Sequence, residues 1–295
     1  MGSLVRAVGV ATHDEDGAAS SMALLSRAAR DCLRAARVAP DDLSFLVYAG
    51  IYRDANMVEP SVASMLQRKI GANTGLRELP GTFSFDVANG ACGALVGVSL
   101  VDGFLCSGAG RFGLVVAGDA EPVPGRSDGF AYAAAASAVL LERGADPGAG
   151  FVRFASSVSA QGLDACAGRL VWTEPGAAPR LRLRVADTYL DECLATAVPA
   201  LDGFLADAGL AAGDVDLLLA SQSPPGLVAR LRDETGLGEA VVDVTGTYGD
   251  VHTAAPGLAL AAALRAGRVT PGARVVFLTV GAGVSAWLAL YSVPE

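Results

Sequence analysis

The two halves of this 295-residue chain run through the same pattern in the same order. In the first half, an Ala/Leu/Arg-rich segment over residues 21–36 leads through Pro40-Asp-Asp into the apolar run Phe45-Leu-Val-Tyr-Ala. In the second, residues 190–208 lead through Gly213-Asp into Leu217-Leu-Leu-Ala. Phe83-Ser-Phe-Asp-Val is then echoed by Ala240-Val-Val-Asp-Val, and each is followed by a turn and a long Ala/Leu/Val helix closed by Gly108 or Gly267. Each half ends with two more apolar strands, near 112–117 and 133–141, and near 274–279 and 285–291. A repeat of this length means two copies of one supersecondary unit that bury their helices against each other. Apolar strands alternating with helices predict parallel-type sheets covered on both faces. The expected architecture is α/β with two pseudo-symmetric halves, residues 1–145 and 146–295.

Composition narrows the partners. With 52% hydrophobic and 18% charged residues, the chain has enough apolar material for a large core. A net charge of −9 leaves no electrostatic footprint for nucleic acid. Five cysteines without a CxxC predict neither a disulfide framework nor a metal site. The start Met1-Gly-Ser-Leu lacks a signal-peptide core, and no apolar run is long enough to span a bilayer. A cytoplasmic, reduced protein without membrane contact is expected. His13 sits in a polar loop and is expected to touch only water.

Cys92 lies at a strand–turn–helix elbow in Phe85-Asp-Val-Ala-Asn-Gly-Ala-Cys92-Gly. A helix N-terminus offers unpaired N–H groups and a positive dipole end, which favour the nucleophilic thiolate. The alternative is a small buried hydrophobe, the reading given to Cys32, Cys106, Cys166 and Cys193. The repeat adds a second group. Asp86 and Asp243 are 157 residues apart, and Gly108 and Gly267 are 159 apart. That register carries Cys92 to within three residues of His252, so the two turns are expected to bring a thiol and an imidazole together.

These motifs resemble the thiolase superfamily, and most closely ketoacyl-ACP synthase III and its acyltransferase relatives. The resemblance rests on the Cys92 elbow, Ser107-Gly-Ala-Gly-Arg-Phe-Gly-Leu-Val-Val-Ala-Gly-Asp119, Tyr248-Gly-Asp-Val-His-Thr-Ala-Ala-Pro-Gly257 and Leu278-Thr-Val-Gly281-Ala-Gly283. It implies a five-layer αβαβα fold, a homodimer, and an acyl-Cys92 thioester formed from acyl-CoA or an acyl carrier protein. CoA or phosphopantetheine would enter as substrate, with no separate cofactor. It further implies an oxyanion hole from the N–H groups of Cys92 and Ala282, with Gly281 and Gly283 shaping the loop. Ser221 stands where such synthases carry a histidine, beside Gln222, and Asp250 stands where they carry an asparagine. The expected acid–base set is therefore a Cys92–His252 dyad with Asp250 or Gln222 nearby, and Ser221 against the substrate.

Acyl transfer to a hydroxyl, amine or thiol is the expected reaction. Decarboxylative Claisen condensation and a catalytically weak subunit of a heterodimer are the alternatives. A family insertion near the N-terminus that holds the adenine of CoA has no counterpart, which favours carrier-protein delivery. Arg230, Arg232 and the alternating strand Arg180-Leu-Arg-Leu-Arg184 are the candidate basic faces for an acidic carrier. Tyr52, Arg53 and Asn56 follow an apolar strand and are placed at the rim of a substrate channel. Trp172 and Trp287 are read as packing residues.

Overall fold

The computed structural model describes residues 2–12, 20–75, 81–174 and 176–295; His13 lies outside them. The first half contains β1 (Ser3–Thr12), α1 (Ser21–Ala36), β2 (Leu43–Tyr48), α2 (Val62–Ile70), β3 (Phe83–Asp86), α3 (Gly93–Cys106), β4 (Phe112–Asp119), β5 (Ser127–Asp128) and β6 (Ala135–Arg143). The second contains β7 (Gly150–Val158), β8 (Cys166–Val171), β9 (Arg180–Val185), α4 (Tyr189–Asp207), β10 (Leu217–Ala220), α5 (Leu227–Thr235), α6 (Thr245–Tyr248), α7 (Ala255–Arg265), β11 (Arg274–Gly281) and β12 (Ser285–Ser292).

The repeat is visible in the strand orders. One sheet runs β1-β6-β4-β2-β3 and the other β7-β12-β11-β10. The fifth place of the second sheet is reduced to one parallel bridge between Leu218 and Val241. Both sheets are mixed rather than parallel throughout. β2 pairs in parallel with β3 and β4, and β10 with β11, but β6 and β12 are antiparallel to both of their neighbours. For β12 the cause is connection length. β12 follows β11 after only residues 282–284, far short of the dozen or more that a parallel crossover needs.

Three apolar clusters define five layers, αβαβα. On the outer face of the first sheet, Leu24, Leu25 and Leu66 of α1 and α2 pack on Leu46, Leu114 and Leu140. Between the sheets, Leu95 and Val98 of α3 and Leu258 and Ala259 of α7 meet Val47, Val115 and Phe277. Leu194, Leu201 and Leu231 of α4 and α5 cover the far face of the second sheet. The small residues of α3 set the central spacing: a Cβ on Gly97 would lie 3.0 Å from the Val115 side chain and 3.3 Å from Val47. Trp287 packs at the edge of the central cluster, whereas Trp172 is 65% exposed and belongs to no core.

β5, β9 and β8 form a small third sheet that the repeat does not contain. β8 is its edge strand, paired antiparallel with β9 from Cys166↔Val185 to Val171↔Arg180. The charged alternation at 180–184 is legible as a strand; its partner β8 has no such pattern.

Candidate active site

A cleft of about 380 Å³ opens where the loop after β2 (Ile51, Tyr52, Arg53, Asn56) faces the third sheet (Cys166, Gly168, Leu170). Gly90, Tyr132, Tyr189, His252 and Ala282 line it as well. Two carboxylates fix the loop. Asp54 accepts from the N–H groups of Ser21 and Met22 at 2.7 and 3.0 Å, capping α1. Asp86 accepts from Val62 and Ala63 N–H, capping α2, and pairs with Arg53 at 3.0 Å. Each places a negative charge on the positive end of a helix.

At the inner end, Asp119 and His252 form a buried pair. Asp119 closes β4, and its Oδ2 lies 2.8 Å from His252 Nδ1 and accepts from the Thr253 hydroxyl at 2.6 Å. Its Oδ1 accepts from Ile51 N–H at 2.8 Å and Tyr52 N–H at 2.7 Å. Burial alone would push this carboxyl up. The bonds and charge of His252, with those from Thr253 and Tyr52, outweigh it and hold Asp119 below the usual carboxylate range. His252 is held as firmly. Its φ is 44°, a left-handed conformation rare for a non-glycine residue, fixed by its N–H donating to Asp250 Oδ1 at 3.0 Å. The ring stacks on Tyr132 at 4.3 Å and leans on Tyr52 at 5.5 Å. A carboxylate can only accept here, so the Asp119 contact assigns a proton to Nδ1 and leaves Nε2 as the nitrogen available for proton transfer.

Cys92 occupies a different environment from the one its sequence position predicts. It is wholly buried and absent from the cleft wall; its thiol donates to the Ser285 carbonyl at 3.3 Å and accepts from the Ser285 hydroxyl at 3.8 Å. Burial pushes its pKa up to about 11, against lowering contributions from Thr279, Ser285 and Trp287. The helix dipole is overruled because the side chain points back into the β11–β12 sheet instead of out along the helix axis. The Cys92 N–H is also spent, donating to Asn89 O at 2.9 Å. The elbow residue that meets the glycine loop is Ala91: a Cβ on Gly281 would lie 3.0 Å from Ala91 N and 3.2 Å from its Cβ. Of the expected oxyanion pair, Ala282 alone reaches the cleft, beside Gly90, whose φ of 49° leaves that floor without a side chain. His252 Nδ1 is partnered by Asp119, and the hydrogen bonds of the Cys92 thiol go to Ser285.

The remaining expected residues brace the site. Gln222 Nε2 donates to the carbonyls of Ala220 and Val242, and its Oε1 accepts from Val244 N–H, so no polar atom is left for substrate. Ser221 is buried, its hydroxyl accepting from Val280 N–H at 3.0 Å on the strand that leads into Gly281. Asp250 acts on the His252 backbone; burial holds its carboxyl above the usual range despite hydrogen bonds from Ser223 and His252. Gly283 has a φ of 119° and permits the β11–β12 turn. Arg230 is matched by Asp191 and Glu234, and Arg232 by Asp243, so neither is a free docking charge. Among the described residues there is no metal-ligand cluster, and no helix is long and apolar enough to cross a membrane.

Two residues had no role assigned in advance. Asp119 ends an apolar strand, and the signal for it was a charge at the close of an otherwise buried run. Cys166 is the cysteine that does line the cleft. Alkylation with iodoacetamide at pH 8 is accordingly expected to label exposed Cys106 first and Cys166 next, leaving Cys92, Cys32 and Cys193 intact in the native protein. Peptide mapping reads the order, and early labelling of Cys92 would contradict the buried placement.

Residues 205–292 match the family model for the C-terminal part of 3-oxoacyl-[acyl-carrier-protein] synthase III. A β-ketoacyl-[acyl-carrier-protein] synthase III from Thiobacillus denitrificans is 27% identical over 270 residues, 88% of this chain and 80% of that protein. The 3-oxoacyl-(acyl carrier protein) synthase III of Pseudomonas aeruginosa superposes with a TM-score of 0.84 at 20% identity, covering 100% and 99% of the two chains. The priming β-ketosynthase of the R1128 polyketide pathway gives 0.82 at 20% identity, covering 99% and 96%. The chain shares the fold of these synthases, and its sequence is similar to ketoacyl-ACP synthase III.

Proposed function

We propose that this ketoacyl-ACP synthase III-like chain is an acyl-transferring enzyme in which the Asp119–His252 pair is the acid–base couple. The observation that carries the reading is the 2.8 Å contact of His252 Nδ1 with a buried carboxylate, which leaves Nε2 basic at the cleft. The donor is an acyl thioester of CoA or of a carrier protein, the second of which the relatives' names contain. Nε2 takes the proton of the acceptor as the acceptor attacks the thioester carbonyl. The Ala282 N–H receives the developing oxyanion, and His252 returns the proton to the departing thiolate. Gly90 lines the cleft, and Cys92 is not among the residues lining it. Carbon–carbon condensation on a malonyl-type acceptor is the second reading, favoured by the names of the relatives, and among the described residues His252 is the one imidazole at the cleft to support it.

The test weighs the intact chain after incubation with acetyl-CoA and with an acyl carrier protein, while transfer to added thiol, amine and malonyl acceptors is followed. His252→Ala is expected to lower transfer by about 10²–10⁴-fold, the usual contribution of one general acid–base group. Cys92→Ala is expected to change it by less than tenfold. An acyl mass that disappears in Cys92→Ala, together with loss of activity, would replace direct transfer by an acyl-cysteine route. Carbon dioxide release from the malonyl acceptor would select condensation.

A further inference from the structure

The face of the third sheet opposite the cleft carries an arrangement that the chain's own charges do not resolve. In the β8–β9 ladder, Arg169 is directly opposite Arg182, and Arg184 is opposite Ala167 on the same face. Like charges placed directly across an antiparallel pair repel, and this pair stands in a protein of net charge −9. The three arginines, with Asp164, Ala167 and Val171, line a second pocket of about 360 Å³. Asp128 serves Arg180 at 3.0 Å and Arg182 at 3.6 Å. Among the described residues, Arg169 and Arg184 meet no carboxylate within ion-pair distance, Asp164 included. Because β8 is the edge strand, the long Arg169 side chain borders both this pocket and the cleft. Two cavities on opposite faces of one hairpin thus meet over a guanidinium.

We propose that the Arg169–Arg182–Arg184 pocket is a phosphate site that anchors the phosphate of a donor's arm, the rest of the arm crossing the β8 edge into the cleft. Arginine suits this task, since its planar fork binds phosphate oxygens through two parallel N–H bonds. A bound phosphate also relieves the Arg169–Arg182 repulsion, so the ladder gains what the free protein lacks. The nature of the arm rests on the acyl-transfer reading, but the phosphate site does not. A phosphate on free CoA and one on a carrier-borne phosphopantetheine present the same chemistry here.

The experiment titrates 4′-phosphopantetheine, pantetheine, CoA and a phosphopantetheinyl carrier protein into the wild type and into Arg169→Gln/Arg184→Gln. Calorimetry reads binding and circular dichroism confirms the fold; Arg6→Gln, at a distant surface ion pair with Glu142, is the control. Phosphopantetheine is expected to bind the wild type at least tenfold more tightly than pantetheine, and the double variant to lose that preference while binding pantetheine as before. The preference should shrink as salt is raised, because the arginines are exposed. Equal binding of the two probes by the wild type, or a preference that survives in the double variant, would overturn the proposal. Tighter CoA than carrier binding identifies free CoA as the source, and the reverse identifies the carrier. Phosphate preference in a protein without transfer activity would leave the site standing and remove the acyl-transfer reading instead.

Discussion

Asp119→Asn is expected to cut acyl transfer by about 10³–10⁴-fold while leaving the five-layer fold in place, a loss of the size found when the aspartate of a Ser-His-Asp triad is amidated. The argument is one of hydrogen-bond supply. Asp119 accepts four bonds, two from the backbone N–H groups of Ile51 and Tyr52 and two from His252 and Thr253. An asparagine has one acceptor oxygen and one donor group. The backbone N–H groups cannot turn away, so the oxygen goes to them and the NH₂ faces His252. Nδ1 must then accept, the ring proton moves to Nε2, and the cleft-side nitrogen can no longer take a proton. The Thr253 hydroxyl loses its acceptor as well, which costs about 1–3 kcal/mol of stability. The pH dependence separates this from a general packing defect. Asp119 is held below its unfolded pKa, so the stability it contributes is present above about pH 4 and is lost as pH falls through the lower folded value. The variant should show a flatter acid limb in urea denaturation between pH 5 and 3 (a range set by the usual carboxylate values of about 4). A transfer rate within tenfold of wild type would remove Asp119 from the mechanism.

That pair also marks the limit of what the chain discloses before folding. The alternation of apolar strands and helices is legible from a repeat in apolar periodicity, because each copy must bury the same helix faces, whereas the five layers came with the family resemblance and the antiparallel β6 and β12 with neither. The cleft-side placement of Tyr52, Arg53 and Asn56 follows too, since a loop after a parallel strand lies at the rim. What linear order hides is the direction of a side chain at an elbow. Ala91 and Cys92 are adjacent, and one residue's difference in register decides which of them meets Gly281 and which turns toward Ser285. A motif places the thiol at a helix start; only packing shows that the start is sealed. Asp119 and His252, 133 residues apart, belong to different halves and meet only when the two copies close on each other. Gln222 looks like an acid–base neighbour in sequence, yet its amide ties together three backbone groups, a role visible only once β10 and the Val242–Val244 segment lie side by side.

Gly9→Ala is expected to be strongly damaging for a single methyl group, destabilising by about 3 kcal/mol or more, at the upper end of overpacking costs. Gly9 lies in β1 under α1, and a Cβ there would overlap the Ala28 carbonyl oxygen and sit 2.7 Å from Cys32 N and 2.8 Å from Cys32 Cβ. Two of these atoms are helix backbone and cannot rotate aside, so relief requires α1 to lift from the sheet. Its N-terminus would move with it, and the Ser21 and Met22 N–H groups that hold Asp54 would release the loop carrying Tyr52 and Arg53. Loss of stability and loss of activity should therefore appear together, unlike in Asp119→Asn, where activity fails first. Gly103→Ala supplies the opposite sign. Nothing lies within 4 Å of its added Cβ on α3, and replacing a helical glycine there should stabilise by about 0.5–1 kcal/mol. Thermal melts of the two variants read the contrast directly, with Gly9→Ala expected to melt about 6–12 °C lower, given roughly 2–4 °C per kcal/mol in chains of this size. Equal melting points would mean that β1 and α1 do not approach as closely as the glycine implies, and the rigid wall behind the Asp54 cap would lose its basis.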